Sequence, residues 1–235
     1  MLRIRWNVVV YLCLMLSVVH ARAAWAQKEN PPGPFAIDIR GAFQSFTPTD
    51  AIAAPFGLTK TQMPARGLGF DLGARVYLLR KQPITIGLGA NWVSTSGKKA
   101  PDPAVAPKDP TMREKFTALS SEVSMNFGTS RGWSYISGGI GTARRSIQLT
   151  PAATTSTTST TTTTTSSTTT EPFPEGRREK AINYGGGARW FATPHVAFGF
   201  DLRWYAINPA PPSATMPQEL PRQTLFVANA GISIH

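Results

Sequence analysis

Side chains able to do chemistry are few in this sequence, and the informative ones recur in a pattern. Beyond residue 26 the only imidazoles are His195 and His235, and neither has a neighbouring serine and acid with which to form a nucleophile–base relay. Two histidines, with the single cysteine Cys13 lying in the first hydrophobic run, supply no ligand set for zinc. Gly185-Gly186-Gly187 and Gly138-Gly139-Ile140-Gly141 have the glycine density of phosphate loops. Neither sits at a strand-to-helix junction, which that mechanism requires, so they read as clearance or kinks in strands. No catalytic residue, cofactor site or metal site is expected. What recurs is a set of carboxylates and guanidiniums: Asp38, Asp71, Glu122 and Asp201 with Arg40, Arg75, Arg189 and Arg203. Each falls on the polar side of an alternating stretch.

Alternation is what positions these groups. Eight segments show apolar residues with a period of two: 35–46, 68–79, 84–96, 116–128, 133–149, 181–192, 196–208 and 223–234. In the second, Leu68, Phe70, Leu72, Ala74, Val76 and Leu78 share one face, against Gly69, Asp71, Gly73, Arg75 and Tyr77. The seventh repeats this with Phe198, Phe200, Leu202 and Trp204 against Gly199, Asp201, Arg203 and Tyr205. The fifth is less regular, because Ile136 and Ile140 share a parity with Arg144, and a bulge is expected there. Most segments exceed the usual strand of about 5–6 residues and meet the roughly 9–11 that a tilted membrane strand needs.

The connections alternate in length. Residues 80–83, 129–132 and 193–195 are short, whereas 47–67, 97–115, 150–180 and 209–222 are long. Short turns at one end and long loops at the other describe an up-and-down barrel with unlike ends. Residues 154–170 are all threonine or serine, with no apolar surface to offset ordering entropy. Ahead of the strands, Arg3 and Arg5 precede a hydrophobic run at 8–19, followed by Ala24-Trp25-Ala26. That run is too short for a spanning helix and has the layout of a secretory signal, so residues 1–26 are read as a signal peptide and 27–235 as one barrel domain.

Alternation alone does not say which face points inward. The strands proper carry none of the lysines that a water-facing sheet would show, and their polar face is glycine plus balanced charges. Four acids meeting four arginines suit a crowded interior, where an unpaired charge is costly, with side chains such as Gln44, Tyr77, Asn91, Asn126 and Tyr205 filling the remainder. The apolar face then meets lipid, where an open sheet edge cannot persist and the sheet must close. Phe35, Phe127, Trp133, Trp190 and Phe191 near the short turns, and Phe43, Trp92 and Trp204 near the long loops, are expected to form two interfacial girdles. The fold class is all-β: an eight-stranded antiparallel up-and-down transmembrane barrel.

On these features, with Gly69-Phe70-Asp71-Leu72-Gly73-Ala74-Arg75 and Phe198-Gly199-Phe200-Asp201-Leu202-Arg203-Trp204, the chain resembles the small outer-membrane β-barrel family, the OmpA-barrel and OmpX-like group. The resemblance implies export to a Gram-negative outer membrane and assembly by the barrel-insertion machinery. Members close on an aromatic residue; here the alternation of Phe226, Ala228, Ala230, Ile232 and Ile234 ends on His235. Some barrels of this environment modify lipid A, but both histidines would lie at the periplasmic end, away from the outer leaflet. The tethering role of relatives with a peptidoglycan-binding domain is not implied. A formal charge of +11 invites a nucleic-acid reading, yet the basic residues are scattered and no helix gathers them. Lys98, Lys99, Lys108, Arg113 and Lys115 are better placed to meet lipopolysaccharide headgroups. The expectation is a monomeric, non-enzymatic barrel with a structural or surface-interaction role through its long loops; the alternative is a small solute channel. A soluble lipocalin-like binder would need lysines on the strands.

Overall fold

The computed structural model describes residues 33–54, 57–81, 83–100, 110–129, 131–150, 178–209, 211 and 221–235. Residues 1–26, read from the sequence as a signal peptide, lie outside the described residues, as do Lys108 and the threonine–serine tract 154–170. Eight strands, β1 (Phe35–Ser45), β2 (Arg66–Lys81), β3 (Ile84–Lys99), β4 (Thr111–Thr129), β5 (Gly132–Thr150), β6 (Arg178–Thr193), β7 (Val196–Ile207) and β8 (Gln223–Ile234), form a closed barrel in sequence order. Every neighbouring pair is antiparallel, and β1 closes on β8 from Ile37↔Ile234 to Ser45↔Phe226. Closure leaves no sheet edge unpaired, which is the condition for a backbone surrounded by hydrocarbon. Among the described residues no helix is long and apolar enough to cross a membrane; the crossing elements are strands.

The outer surface is apolar where lipid would touch it. Val123 is 54% exposed and Ile140 72%, while Asp38, Asp71 and Asp201 on the other parity are fully buried. A water-facing protein does not present such a continuous belt. The turn from β4 into β5 uses Gly128 at φ +146°, a backbone conformation that a side chain would strain.

Several strands outrun their expected limits. β4 and β5 reach 19 residues each, against 12 for β7 and β8. Lys81, Lys98, Lys99, Lys115 and Lys180, expected in connections, therefore sit on strands. Apolar alternation stops where lipid stops, but backbone pairing continues into the headgroup zone, so the hydrophobic pattern underestimates strand length. The expected bulge in β5 is absent: its pairing with β4 and β6 runs without a shift. Arg144 faces outward on the same parity as Ile140, simply above the belt. Irregularities fall instead in β2 between Tyr77 and Leu79, and in β6 between Phe191 and Thr193, both beside short turns.

Candidate functional site

The place to look for function in a barrel is its lumen, and here the lumen is filled in layers. At the short-turn end, Tyr77, Trp133, Phe191 and His235 form an aromatic floor. Trp133 stands edge-on to Tyr77 at 5.2 Å and to Phe191 at 5.6 Å, and the His235 ring lies 4.8 Å from that of Phe191. This corrects the girdle expectation: Trp133 is only 4% exposed and faces inward with Phe191 beside it, whereas Phe35, Phe127 and Trp190 do face outward. Parity decides the matter, since Trp133 shares its face with Tyr135 and Ser137, and end-of-strand position alone does not.

Above the floor lie all eight sequence-selected charges, interlocked. Arg189 gives its guanidinium to both oxygens of Asp38 (2.9 and 2.7 Å) and to the Tyr77 hydroxyl (3.0 Å). Arg40 meets Asp71 at 2.8 Å through Nε and at 2.5 Å through Nη2, while Asn91 donates to the other Asp71 oxygen at 2.8 Å. Arg75 meets Glu122 at 3.0 Å. Arg203 binds both oxygens of Asp201 at 3.0 Å each and reaches Glu122 with its remaining nitrogen. Tyr135 joins the pairs: its hydroxyl donates to Asp201 at 2.9 Å and accepts from Arg40 at 3.2 Å, and its ring lies under Arg75 and Arg189 at 5.0 and 4.8 Å. Each charge thus gains several partners, which is what makes burial of an ion pair tolerable.

Glycines make this crowding possible. Gly73 faces Asp38 across β1–β2, and a Cβ there would stand 3.2 Å from Asp38 Oδ2 and 3.5 Å from Arg40 Nη2. On β6, Gly185 and Gly187 pair with Arg203 and Asp201, and a Cβ on either would collide with a β7 carbonyl. The glycine run that resembles a phosphate loop is the strip over which the lumen charges lie.

The next layer is apolar: Ala42, Phe46, Val93, Phe116, Ala143, Leu225 and Val227 pack around the ring of Tyr205, with Phe116 edge-on to it at 5.3 Å. Then comes a pair the sequence reading did not select, Glu114 with Arg145, the latter also donating to Gln223. Buried acids and arginines thus number five of each among the described residues. Glu114 shares the parity of Phe116 and Glu122, so extending β4 by a few residues would have found it. The long-loop mouth is closed by the β1–β2 connection. Its α-helical turn, α1 (Asp50–Ala53), sets Ile52 and Ala53 against Met112 and Ile147, and Met63, just after a 3-10 turn at Lys60–Gln62, joins them.

The remaining candidates lie elsewhere. Lys98 and Lys99 are exposed on β3, Arg113 and Lys115 are half-buried on β4, and Lys98 pairs directly with Arg113. His195 and His235 meet at the short-turn end, His195 Nδ1 lying 3.3 Å from the His235 carbonyl oxygen. Burial, and then the positive Arg189 nearby, holds the His235 ring down to about 4. Among the described residues no group of three or more His, Cys, Asp or Glu side chains is placed to hold a metal ion.

The chain has the fold of small eight-stranded outer-membrane barrels. Neisserial surface protein A superposes with a TM-score of 0.54 at 12% identity, over 87% of this chain and 99% of that one. Ail, the attachment invasion locus protein of Yersinia pestis, gives 0.46 at 9% identity, over 88% and 99%. OprG from Pseudomonas aeruginosa gives 0.43 at 9% identity, over 87% and 97%. No protein-family model and no curated protein matches the chain.

Proposed function

We propose that this protein is a monomeric, non-enzymatic resident of a Gram-negative outer membrane that acts at the cell surface through its long connections, its barrel serving as a rigid lipid-anchored support. The observation that carries the reading is the layered lumen. An eight-stranded barrel is only just wide enough for its own side chains, and here they leave charge pairs, aromatic rings and an apolar cap in turn across its length. Every guanidinium of the central network is already engaged with carboxylates, which disfavours both a solute path and a free general base. The alternative, a small solute channel, would need these layers to part. In this reading Lys98, Lys99, Lys108, Arg113 and Lys115 contact lipopolysaccharide headgroups, and the barrel-insertion machinery reads β8 on assembly.

Topology is the first thing to test. An epitope inserted between residues 160 and 161 should be labelled by antibody on intact cells. Labelling that requires permeabilised cells would place the long connections in the periplasm and overturn the surface role.

A further inference from the structure

On five adjacent strands the lipid belt ends in the same way. Along the outward face of β3 the order towards the long loops is Trp92, Ser94, Ser96, Lys98; on β4 it is Leu119, Thr117, Lys115, Arg113. On β5 it is Ile140, Thr142, Arg144, and on β6 Ile182, Lys180, Arg178. β2 ends in Phe70, Leu68, Arg66, with Arg66 exposed and its guanidinium 6.0 Å from the outward ring of Phe43. Cations therefore stand on each of these strands directly above apolar residues, with serines and threonines between them on β3, β4 and β5. The outward parity of β2 to β6 carries no carboxylate among the described residues: Asp71, Glu114 and Glu122 are buried on the inner parity, and the half-buried Glu179 shares that parity between Arg178 and Lys180.

The far wall differs. β7, β8 and β1 end outward in Trp204 and Ala206, Phe226 and Thr224, and Phe43 and Ser45; among the described residues the single cation there is the exposed Arg222, which follows Thr224 just beyond β8, against at least one on each of the five strands opposite. Trp204 there meets Phe226 at 5.2 Å and, across the border with β6, stacks on Tyr184 at 5.9 Å. Within the basic wall, register sets like charges face to face: Lys98 opposite Arg113 on β3–β4, and Arg144 opposite Arg178 on β5–β6. Directly opposed like charges are unfavourable in a sheet, and an anion lying across each pair reverses the sign.

We propose that the outward face of β2–β6, immediately above the lipid belt, is a one-sided binding wall for the phosphorylated headgroup of an outer-leaflet glycolipid. Acyl chains lie on the belt residues, the serine and threonine hydroxyls meet sugar hydroxyls, and the opposed basic pairs hold phosphates. This deepens the lipopolysaccharide contact proposed above and rests on it. It moves the contact from one loop to the outward strand faces, where Arg66, Arg144, Arg178 and Lys180 join Lys98, Arg113 and Lys115. The occupant is a lipid rather than a soluble polyanion because the cations continue the lipid-facing surface itself.

Native mass spectrometry of the refolded full chain in detergent tests this, with bisphosphorylated lipid A and its dephosphorylated form as probes. The phosphorylated form should be retained more strongly, by about tenfold or more given roughly one kcal/mol per basic residue at such a surface. R144Q/R178Q should lose most of that preference, whereas K81Q/R131Q at the short-turn end should keep it. Equal retention of the two lipid A forms by the wild type, a reading that needs no variant to fold, overturns the proposal. So does displacement of lipid A by equimolar heparin, which would make the wall a polyanion site. If K98Q/K99Q/K108Q abolishes the preference while R144Q/R178Q leaves it intact, the wall is wrong and the narrower loop contact stands. A failure of the wall leaves the surface role untouched, since that is decided by labelling on intact cells.

Discussion

The inner and outer faces of one strand obey different rules, and β7 shows both. Asp201, Arg203 and Tyr205 point into the lumen and each has a specific partner on another strand, Tyr135, Glu122 and Asn91; Phe200, Leu202 and Trp204, one residue away, need only be apolar. The lumen is specified by pairing and the belt by solvation. A substitution inside should therefore be judged by what it leaves unpaired, and one outside by what it does in hydrocarbon.

The sharpest way to break that distinction is inside. Asp201→Ala removes the carboxylate that holds Arg203 at 3.0 Å and accepts from Tyr135 at 2.9 Å, leaving a buried guanidinium short of its partner. A loss of about 3–5 kcal/mol is expected from urea unfolding in lipid bilayers. A change below about 1 kcal/mol, the range of exposed ion pairs, would mean the lumen is hydrated. Outside, Val123 pairs with Leu88 midway along the belt and is 54% exposed. Val123→Arg should cost about 2–4 kcal/mol in bilayers and Val123→Leu almost nothing, since only solvation is at stake.

Smaller effects sharpen the contrast at the ends of the barrel. The His235 ring stays neutral in the aromatic floor down to about 4, whereas an unfolded chain takes the proton near its ordinary 6.5. The unfolded state thus binds more protons between these values, so this residue's contribution is intact above pH 7 and falls as pH drops from 6.5 towards 4. His235→Phe should leave stability at pH 8 nearly unchanged and flatten its acid dependence; identical pH profiles for the two proteins would remove His235 from the floor. Deleting residues 154–170, a stretch without apolar anchors, should leave barrel assembly and urea stability unchanged within error, because loop length adds little closure entropy. Loss of the folded, heat-modifiable species would make the tract structural.

Much of the fold was legible because alternation is a direct record of solvation. Strand number, order, parity and closure follow from which residues face lipid, and the short and long connections set the two ends. The sequence also picks out the eight central charges as one inward set, but not their partners, because Arg189 meets Asp38 across the barrel and no local spacing records stagger. Glu114 and Arg145 escaped because their strands continue past the last lipid-facing apolar residue. Position near a turn suggests an outward Trp133 and Phe191, whereas parity in Trp133-Ser134-Tyr135 points inward, and parity prevails. The cap formed by Ile52, Ala53 and Met63 left no periodic trace, since one helical turn is too short to show one.

The central claim is that side chains, not water, occupy the lumen. Single-channel recording of the refolded protein in a planar bilayer tests it most directly. The layered lumen predicts no resolvable steps from the unmutated chain at moderate voltage and neutral pH. Stable, large single-channel currents from that chain would contradict it and make the barrel a channel.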